Sequence, residues 1–399
     1  MTEVAQVVAN ASTVGANPCD SRPITPADLD VPEGLSRRGL RKRLLVLLGV
    51  VLTVVAIVTL APGLGALRTR LSHADPAWLA AGVVLKVLSG LGYVAVFRTV
   101  FCRRMTWRVS YQIGMSELGA NALFPTGGAG GLALGAWALK RGGMPGAEIA
   151  RRSVAFFLLT SVANVVGVIV IGLGLATRIF PGETDLWLTA LPAAVATVAV
   201  IGALLAGRTS ARLHRRLEQS EAGESSRRAR AGLKALVAVA DGVNEAVMLL
   251  RERNATLIAG LLAYLIFDMM ILWATFRAFG AAPPLAIVWI AYLIGELGGL
   301  IPVPGGIGGV DAGLVGTLVL YNVPITSATS AVLAYRAIAL WVPAVLGSAA
   351  FVALRRTLRN ESSRIAVCAP ETTMEVIGLG RVVIGSPTTD TAGPATPSR

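Results

Sequence analysis

The chain has 399 residues, of which 54% are hydrophobic and only 15% are charged, and its mean hydropathy is +0.67. This balance excludes an ordinary water-soluble domain and indicates an all-helical polytopic membrane protein, because long apolar segments recur along the chain. The net charge of +13 does not indicate a nucleic-acid partner, since the basic residues cluster at the ends of apolar segments, where the positive-inside rule expects them.

The apolar segments predict six full transmembrane helices. They cover residues of about 44–61, 77–97, 153–176, 187–206, 254–277 and 328–354. Arg and Lys clusters before the first span and after the last predict that both termini are cytoplasmic in an inner (plasma) membrane. The membrane domain is expected at residues 37–355, between polar tails at 1–36 and 356–399 that are expected to be disordered.

Residues 207–253 form a long basic loop, which carries the strongest cytoplasmic signal in the chain. Apolar residues recur in this loop at helical spacing, from Leu233 to Leu250. Two interpretations stay open. The segment is either an amphipathic helix lying on the anionic inner leaflet or a cytoplasmic extension of the next span.

Two apolar stretches are interrupted by Gly and Pro. The first, 109–139, contains FPTGGAGG from Phe124, and the second, 285–321, contains ELGGLIPVPGGIGGVDAG from Glu296. Proline removes a backbone donor, and unpaired backbone is tolerated in lipid only where protein or water covers it. We therefore expect two re-entrant hairpins, with a cavity or pathway at the second. Close packing of small residues is the competing interpretation of the glycines, and eight full spans are the alternative to the hairpins.

These two stretches also predict an internal repeat, with halves at about 77–176 and 254–354. Basic residues flank the first stretch on both sides, so it is expected to enter from the cytoplasm, whereas the second is expected to enter from outside. Halves of opposite orientation form an inverted repeat, a plan typical of transporters that bind their substrate near the membrane midplane.

Charged residues inside apolar segments are candidates for such a site, because each costs about 2.5–3.5 kcal/mol at the membrane centre unless it is paired or hydrated. They are Lys86, Glu117, Asp268, Glu296, Asp311 and Arg336. We expect Arg336 and Lys86 to pair with the acids. Arg336 is the strongest candidate because a guanidinium binds phosphate bidentately, and Lys86 is the weakest because a long side chain can snorkel. Ion pairs that only hold the helices together are the competing interpretation.

Motifs of enzymes and metal sites are not found in the sequence. It has no G-x-x-x-x-G-K-[ST], no H-E-x-x-H, no G-x-S-x-G and no Cys/His metal set. The sequence therefore predicts neither an enzyme nor a cofactor or metal site.

The second Gly/Pro stretch and the span after it resemble the flippase-like membrane domain, also called the lysylphosphatidylglycerol synthase transmembrane region. That family has a Pro-x-Pro-Gly-Gly-x-Gly turn, an acid shortly after it and an Arg on the next helix. These map onto Pro302, Pro304, Gly305, Gly306, Gly308, Asp311 and Arg336. The earlier motif around Pro125 is similar, but Gly131 and Leu132 stand where many members have an acid, and Phe157 stands where an Arg would match Arg336. The resemblance implies movement of lipids or lipid-linked sugars between leaflets.

The sequence thus predicts a flippase that binds the headgroup of an anionic phospholipid or a polyprenyl-phosphate glycolipid between the repeats. Its expected substrate-binding residues are Arg336, Glu296, Asp311, Asp268, Pro302, Pro304, Gly305, Gly306, Gly308, Pro125 and Glu117. The alternative is a membrane scaffold or accessory subunit of an envelope biosynthetic enzyme, with a glycosyltransferase as the possible partner.

Overall fold

A computed structural model describes residues 72–123, 129–180, 186–213, 227–280, 282–298 and 309–360, together with Thr69 and Arg215. Regular structure in these ranges is α-helical throughout. The helices are α1 (Pro76–Phe101), α2 (Trp107–Leu123), α3 (Ala129–Arg141), α4 (Gly146–Ala176), α5 (Leu186–Arg208), α6 (Arg227–Arg251), α7 (Ala255–Ala278), α8 (Leu285–Gly298), α9 (Gly309–Leu320) and α10 (Ile325–Asn360). The predicted first span, the N-terminal tail, residues 361–399 and the two Gly/Pro turns, with Pro125 and Pro302 to Gly308, lie outside the described residues. Residues 356–360, which were expected to begin the disordered C-terminal tail, instead continue α10.

Four helices of the described chain are long and apolar enough to cross a membrane, namely α1, α4, α7 and α10. They confirm four of the predicted spans. Helix α5 coincides with a fifth, and its apolar part covers Ala193–Gly202. Local capping fixes where two of these helices begin. The side chain of Asp75 accepts a hydrogen bond from the Ala77 amide at the start of α1, and Asn254 accepts one from the Thr256 amide at the start of α7.

The predicted hairpins are pairs of short helices, α2 with α3 and α8 with α9. They contain 17, 13, 14 and 12 residues. At about 1.5 Å per residue, the arms are about 18–26 Å long, which is less than the roughly 30 Å hydrocarbon core. The described lengths are shorter than a full span, as re-entrant hairpins require, while the turns that join the arms lie outside the described residues.

Helices α1 and α7 pack against each other in opposite directions. At one end, Arg103 pairs with Glu252, and at the other the amide of Asp75 donates to the carbonyl of Ala278 over 2.8 Å. Between them the backbones touch, because a Cβ on Gly92 would lie 2.8 Å from the Gly260 carbonyl oxygen. Helix α1 therefore runs antiparallel to α7 at the place where the set α1–α4 meets the set α7–α10. We call the end that holds Arg103 and Glu252 the arginine-rich end and the other the distal end.

Each hairpin packs against the last long helix of the other set, α2 on α10 and α8 on α4. The first of these contacts is made by two backbones, since a Cβ on Gly119 would lie 2.8 Å from the Cα of Gly347. In the contact of α8 with α4, a Cβ added to Gly167 would lie 3.2 Å from the Leu293 side chain. Because each hairpin packs against a helix of the other set, the two sets of helices are interleaved.

Helix α6 excludes one of the two interpretations of the basic loop, an extension of the next span. It ends at Arg251, and a turn with Arg253 in the left-handed region (φ 49°) separates it from α7. It is therefore not an extension of the next span. Instead it packs across the ends of α4 and α5, where Ser210 donates to Asp241 over 2.6 Å.

Candidate functional site

Charged side chains of the second half meet α1 at a single depth in the bundle. Counted at about 1.5 Å per residue from the distal helix ends, these charges all lie about 14–17 Å deep. They are Lys86, Asp268, Glu296, Asp311 and Arg336. Such a depth is about half of the roughly 30 Å hydrocarbon core, so the cluster lies near the midplane of a spanning bundle.

Asp268 on α7 is the buried centre of this cluster, with only 5% of its surface exposed. It forms an ion pair with Lys86 on α1 and accepts hydrogen bonds from Tyr292 over 2.8 Å, Ser89 over 3.2 Å and Tyr335 over 3.4 Å. A carboxylate with a cation and several donors is well stabilised in an apolar setting. Lys86 therefore points into the bundle and pairs with one of the expected acids, although the sequence ranked it the weakest candidate of the charged residues.

Arg336 on α10 forms the second ion pair of the cluster, through its Nε and the carboxylate of Asp311 on α9. The Asp311 and Arg336 side chains are 28% and 17% exposed, against 7% and 11% for Asp268 and Lys86. The two ion pairs therefore differ in how accessible they are from outside the protein. The Lys86–Asp268 pair is closed off, whereas the Arg336–Asp311 pair is the part of the cluster that an outside molecule can approach.

Glu296 interacts electrostatically with members of both ion pairs. It is half-buried at the last turn of α8, within range of the charges of Asp268, Arg336 and Lys86. The cluster thus contains three acids and two bases. A ligand anion would compete with the Asp311 carboxylate for the guanidinium of Arg336.

The first half holds its own acid, Glu117 on α2, which is 3% exposed. It accepts a hydrogen bond from the Tyr93 hydroxyl over 3.0 Å and lies directly against Gly135 of α3, where a Cβ would overlap the carboxylate. Nearby, the Asn121 side chain accepts a hydrogen bond from the Gly131 amide at the start of α3 over 2.8 Å. Within the described part of the chain, no basic side chain pairs with Glu117.

The candidate residues therefore fall into three groups. Asp268, Glu296, Asp311 and Arg336 come together, Glu117 lies in a separate pocket of the first half, and the prolines and glycines of the two turns are outside the described residues. Sequence reasoning undervalued Lys86 and missed the tyrosines around Asp268, since a tyrosine in an apolar helix carries no signal of its partner.

The correspondence of Glu117 and Glu296 had a sequence signal that was overlooked. Each begins a Glu-Leu-Gly triplet, Glu117-Leu118-Gly119 and Glu296-Leu297-Gly298, and each is followed by a proline at the same spacing, Pro125 and Pro304. The two acids therefore occupy equivalent positions, but only Glu296 has basic neighbours.

Comparison with known proteins gives one family. The sequence profile of the lysylphosphatidylglycerol synthase TM region matches residues 46–347, which include all of the charged cluster. Among curated proteins, none matches the chain. Because the profile covers most of the chain and its helices form one interleaved membrane bundle, the protein belongs to the lysylphosphatidylglycerol synthase TM region family.

Proposed function

We propose that this protein moves an anionic lipid between the leaflets of the inner (plasma) membrane. Its substrate would be an anionic phospholipid or a polyprenyl-phosphate glycolipid, bound through the headgroup. The observation that carries the proposal is the Arg336–Asp311 pair, which is partly exposed and lies near mid-depth beside a closed second pair. Membership in a family of membrane domains from lipid-related envelope proteins supports it.

Binding would proceed by exchange at Arg336. A headgroup phosphate takes the place of the Asp311 carboxylate and accepts two parallel hydrogen bonds from the guanidinium. Asp268 keeps its cation and its hydroxyl donors, so the base of the site stays rigid. Asp311 competes with the phosphate for Arg336 and so limits the affinity for the anion. A headgroup that is crossing must be released again, and weak binding allows that release.

The two oppositely directed helix sets would supply the movement. In transporters built as inverted repeats, one half rocks against the other around a site near the midplane. Here the interleaved contacts of α2 with α10 and of α8 with α4 are the surfaces that such rocking would change. We place the arginine-rich end and both termini in the cytoplasm, by the positive-inside rule.

The test is lipid movement in proteoliposomes that contain the purified protein and a fluorescent anionic lipid with a membrane-impermeant quencher. Arg336→Gln is expected to slow movement at least tenfold, since it removes the phosphate ligand. The charge-balanced Asp311→Asn/Arg336→Gln double variant is expected to stay folded and equally slow. The matched control is Arg277→Gln, an arginine at the distal end of α7 that lies over the Trp78 and Trp273 rings.

Unchanged movement in a folded Arg336→Gln protein would refute the role of this site. Faster movement of a lipid with an amine headgroup than of the anionic lipid would refute the substrate class, because three acids against two bases also suit a cation. If the wild type moves no lipid but copurifies with a stoichiometric envelope glycosyltransferase, the accessory-subunit hypothesis replaces the proposal.

A further inference from the structure

A second polar feature lies away from the charged cluster, between α6 and the end of α5. It is a cavity of about 620 Å³ at the arginine-rich end. Its lining residues are Arg208, Val243, Asn244, Val247, Met248, Arg251 and Glu252. This volume is in the range of small-molecule sites, and none of the lining residues belongs to the proposed transport site.

Two arginines give this cavity its charge. Arg208 is the last residue of α5 and Arg251 the last of α6, and within the described part of the chain neither side chain has an ion pair or hydrogen-bond partner. The one acid in the lining, Glu252, is already paired with Arg103. In the same region, Arg151 pairs with Glu245 and Arg152 with Glu148. The cavity thus differs from its surroundings, because its cations have not been neutralised by nearby acids.

Most of the remaining wall of the cavity is apolar, with Asn244 as its polar member. Val243 is buried, whereas Met248 is 49% exposed, so the apolar wall continues to the outside of the protein. The Asn244 side chain donates to the Gly207 carbonyl over 3.1 Å and joins α6 to the end of α5 beside the cavity. Two guanidinium groups beside an apolar wall that opens outward suit a molecule with a phosphate at one end and a hydrocarbon chain at the other.

We propose that this cavity binds the headgroup of an anionic phospholipid from the leaflet at the arginine-rich end. The phosphate would lie between Arg208 and Arg251, and the first part of an acyl chain would lie along Val247 and Met248. This lipid is a resident one. It holds α6 against the ends of α4 and α5 and is separate from any lipid that crosses the bundle.

The competing explanation is that each arginine only complements the negative end of its own helix dipole. That role needs no lipid, so it predicts no difference between lipid classes. The test therefore measures binding of short-chain phosphatidylglycerol to the full-length protein in a neutral detergent, by native mass spectrometry and by thermal stabilisation. Phosphatidylcholine of the same chain length and soluble glycerol phosphate are the two comparison ligands.

The expected result is tighter binding of phosphatidylglycerol than of either comparison ligand, and its loss in Arg208→Gln/Arg251→Gln. The double variant should bind about thirtyfold more weakly, because it removes both charge-assisted contacts to the phosphate. The matched control is Arg212→Gln/Arg215→Gln, which removes the same charge from exposed residues that do not line the cavity. It should bind as the wild type does.

Three outcomes would overturn the proposal. They are equal affinity in the wild type and the cavity variant, equal weakening in the control variant, and equal binding of soluble glycerol phosphate. The first denies the site, the second reduces it to general surface charge, and the third makes it a site for a soluble anion. None of them bears on movement of lipid at Arg336, which is measured separately.

Discussion

Lys86 and Asp268, 182 residues apart in the chain, form an ion pair across the antiparallel contact of α1 and α7. Both side chains are almost fully buried. The pair is therefore a link between the two helix sets at the depth of the charged cluster. It also holds Asp268 in position to accept hydrogen bonds from Tyr292 and Tyr335.

The first prediction concerns this link. Lys86→Met should lower the free energy of unfolding by about 3–5 kcal/mol, because it leaves a buried carboxylate without its cation. Lys86→Met/Asp268→Asn should recover most of that loss, since the amide still accepts hydrogen bonds and no charge remains. Thermal unfolding of the purified proteins in one detergent measures both. A single variant as stable as the wild type would show that water or lipid already screens Asp268.

The second prediction concerns the contact of α2 with α10. A Cβ on Gly347 would lie 2.5 Å from the Cα of Gly119 and from the Met115 carbonyl oxygen, both of which are backbone atoms. Gly347→Ala should therefore destabilise the protein by about 1–3 kcal/mol, as overpacking does.

The control for this prediction is Gly316→Ala on α9, where a Cβ meets nothing within 4 Å. It should be neutral or slightly stabilising, because alanine is the better helix former. Equal effects of the two substitutions on thermal unfolding would mean that the α2–α10 backbones are not in contact.

The secondary-structure elements that depend on nearby residues could be predicted from the sequence. Hydropathy and flanking arginines predicted the four spans that are confirmed, and the Gly/Pro breaks predicted the two pairs of short helices within a few residues. The partner of Lys86 depends on the packing of α1 against α7, which no local pattern encodes. The end of α6 could not be predicted either, since Arg253 adopts a left-handed conformation and no glycine or proline marks the turn.

The third prediction concerns Glu117 and the Tyr93 hydroxyl that donates to it. Tyr93→Phe should destabilise the protein by about 1–3 kcal/mol, because it removes the hydroxyl that the buried carboxyl group accepts from. Glu117→Gln should cost less, since the amide oxygen can still accept from Tyr93. If Glu117→Gln is the more damaging of the two in thermal unfolding, then the acid serves a partner other than Tyr93.

The last prediction concerns the opposite directions of the two helix sets. Ala147 and Thr326 are exposed, each two residues after the proline that precedes the last long helix of its set, Pro145 and Pro324. Ala147 lies at the arginine-rich end, because the neighbouring Arg152 donates to the Phe101 carbonyl at the end of α1. Thr326 follows α9 at the distal end. Ala147→Cys and Thr326→Cys should therefore react with an impermeant maleimide from opposite sides of sealed vesicles. The labelling of each variant is compared with that of the wild type, which has three cysteines of its own. Labelling of both from one side would contradict the opposed orientation on which the proposed movement depends.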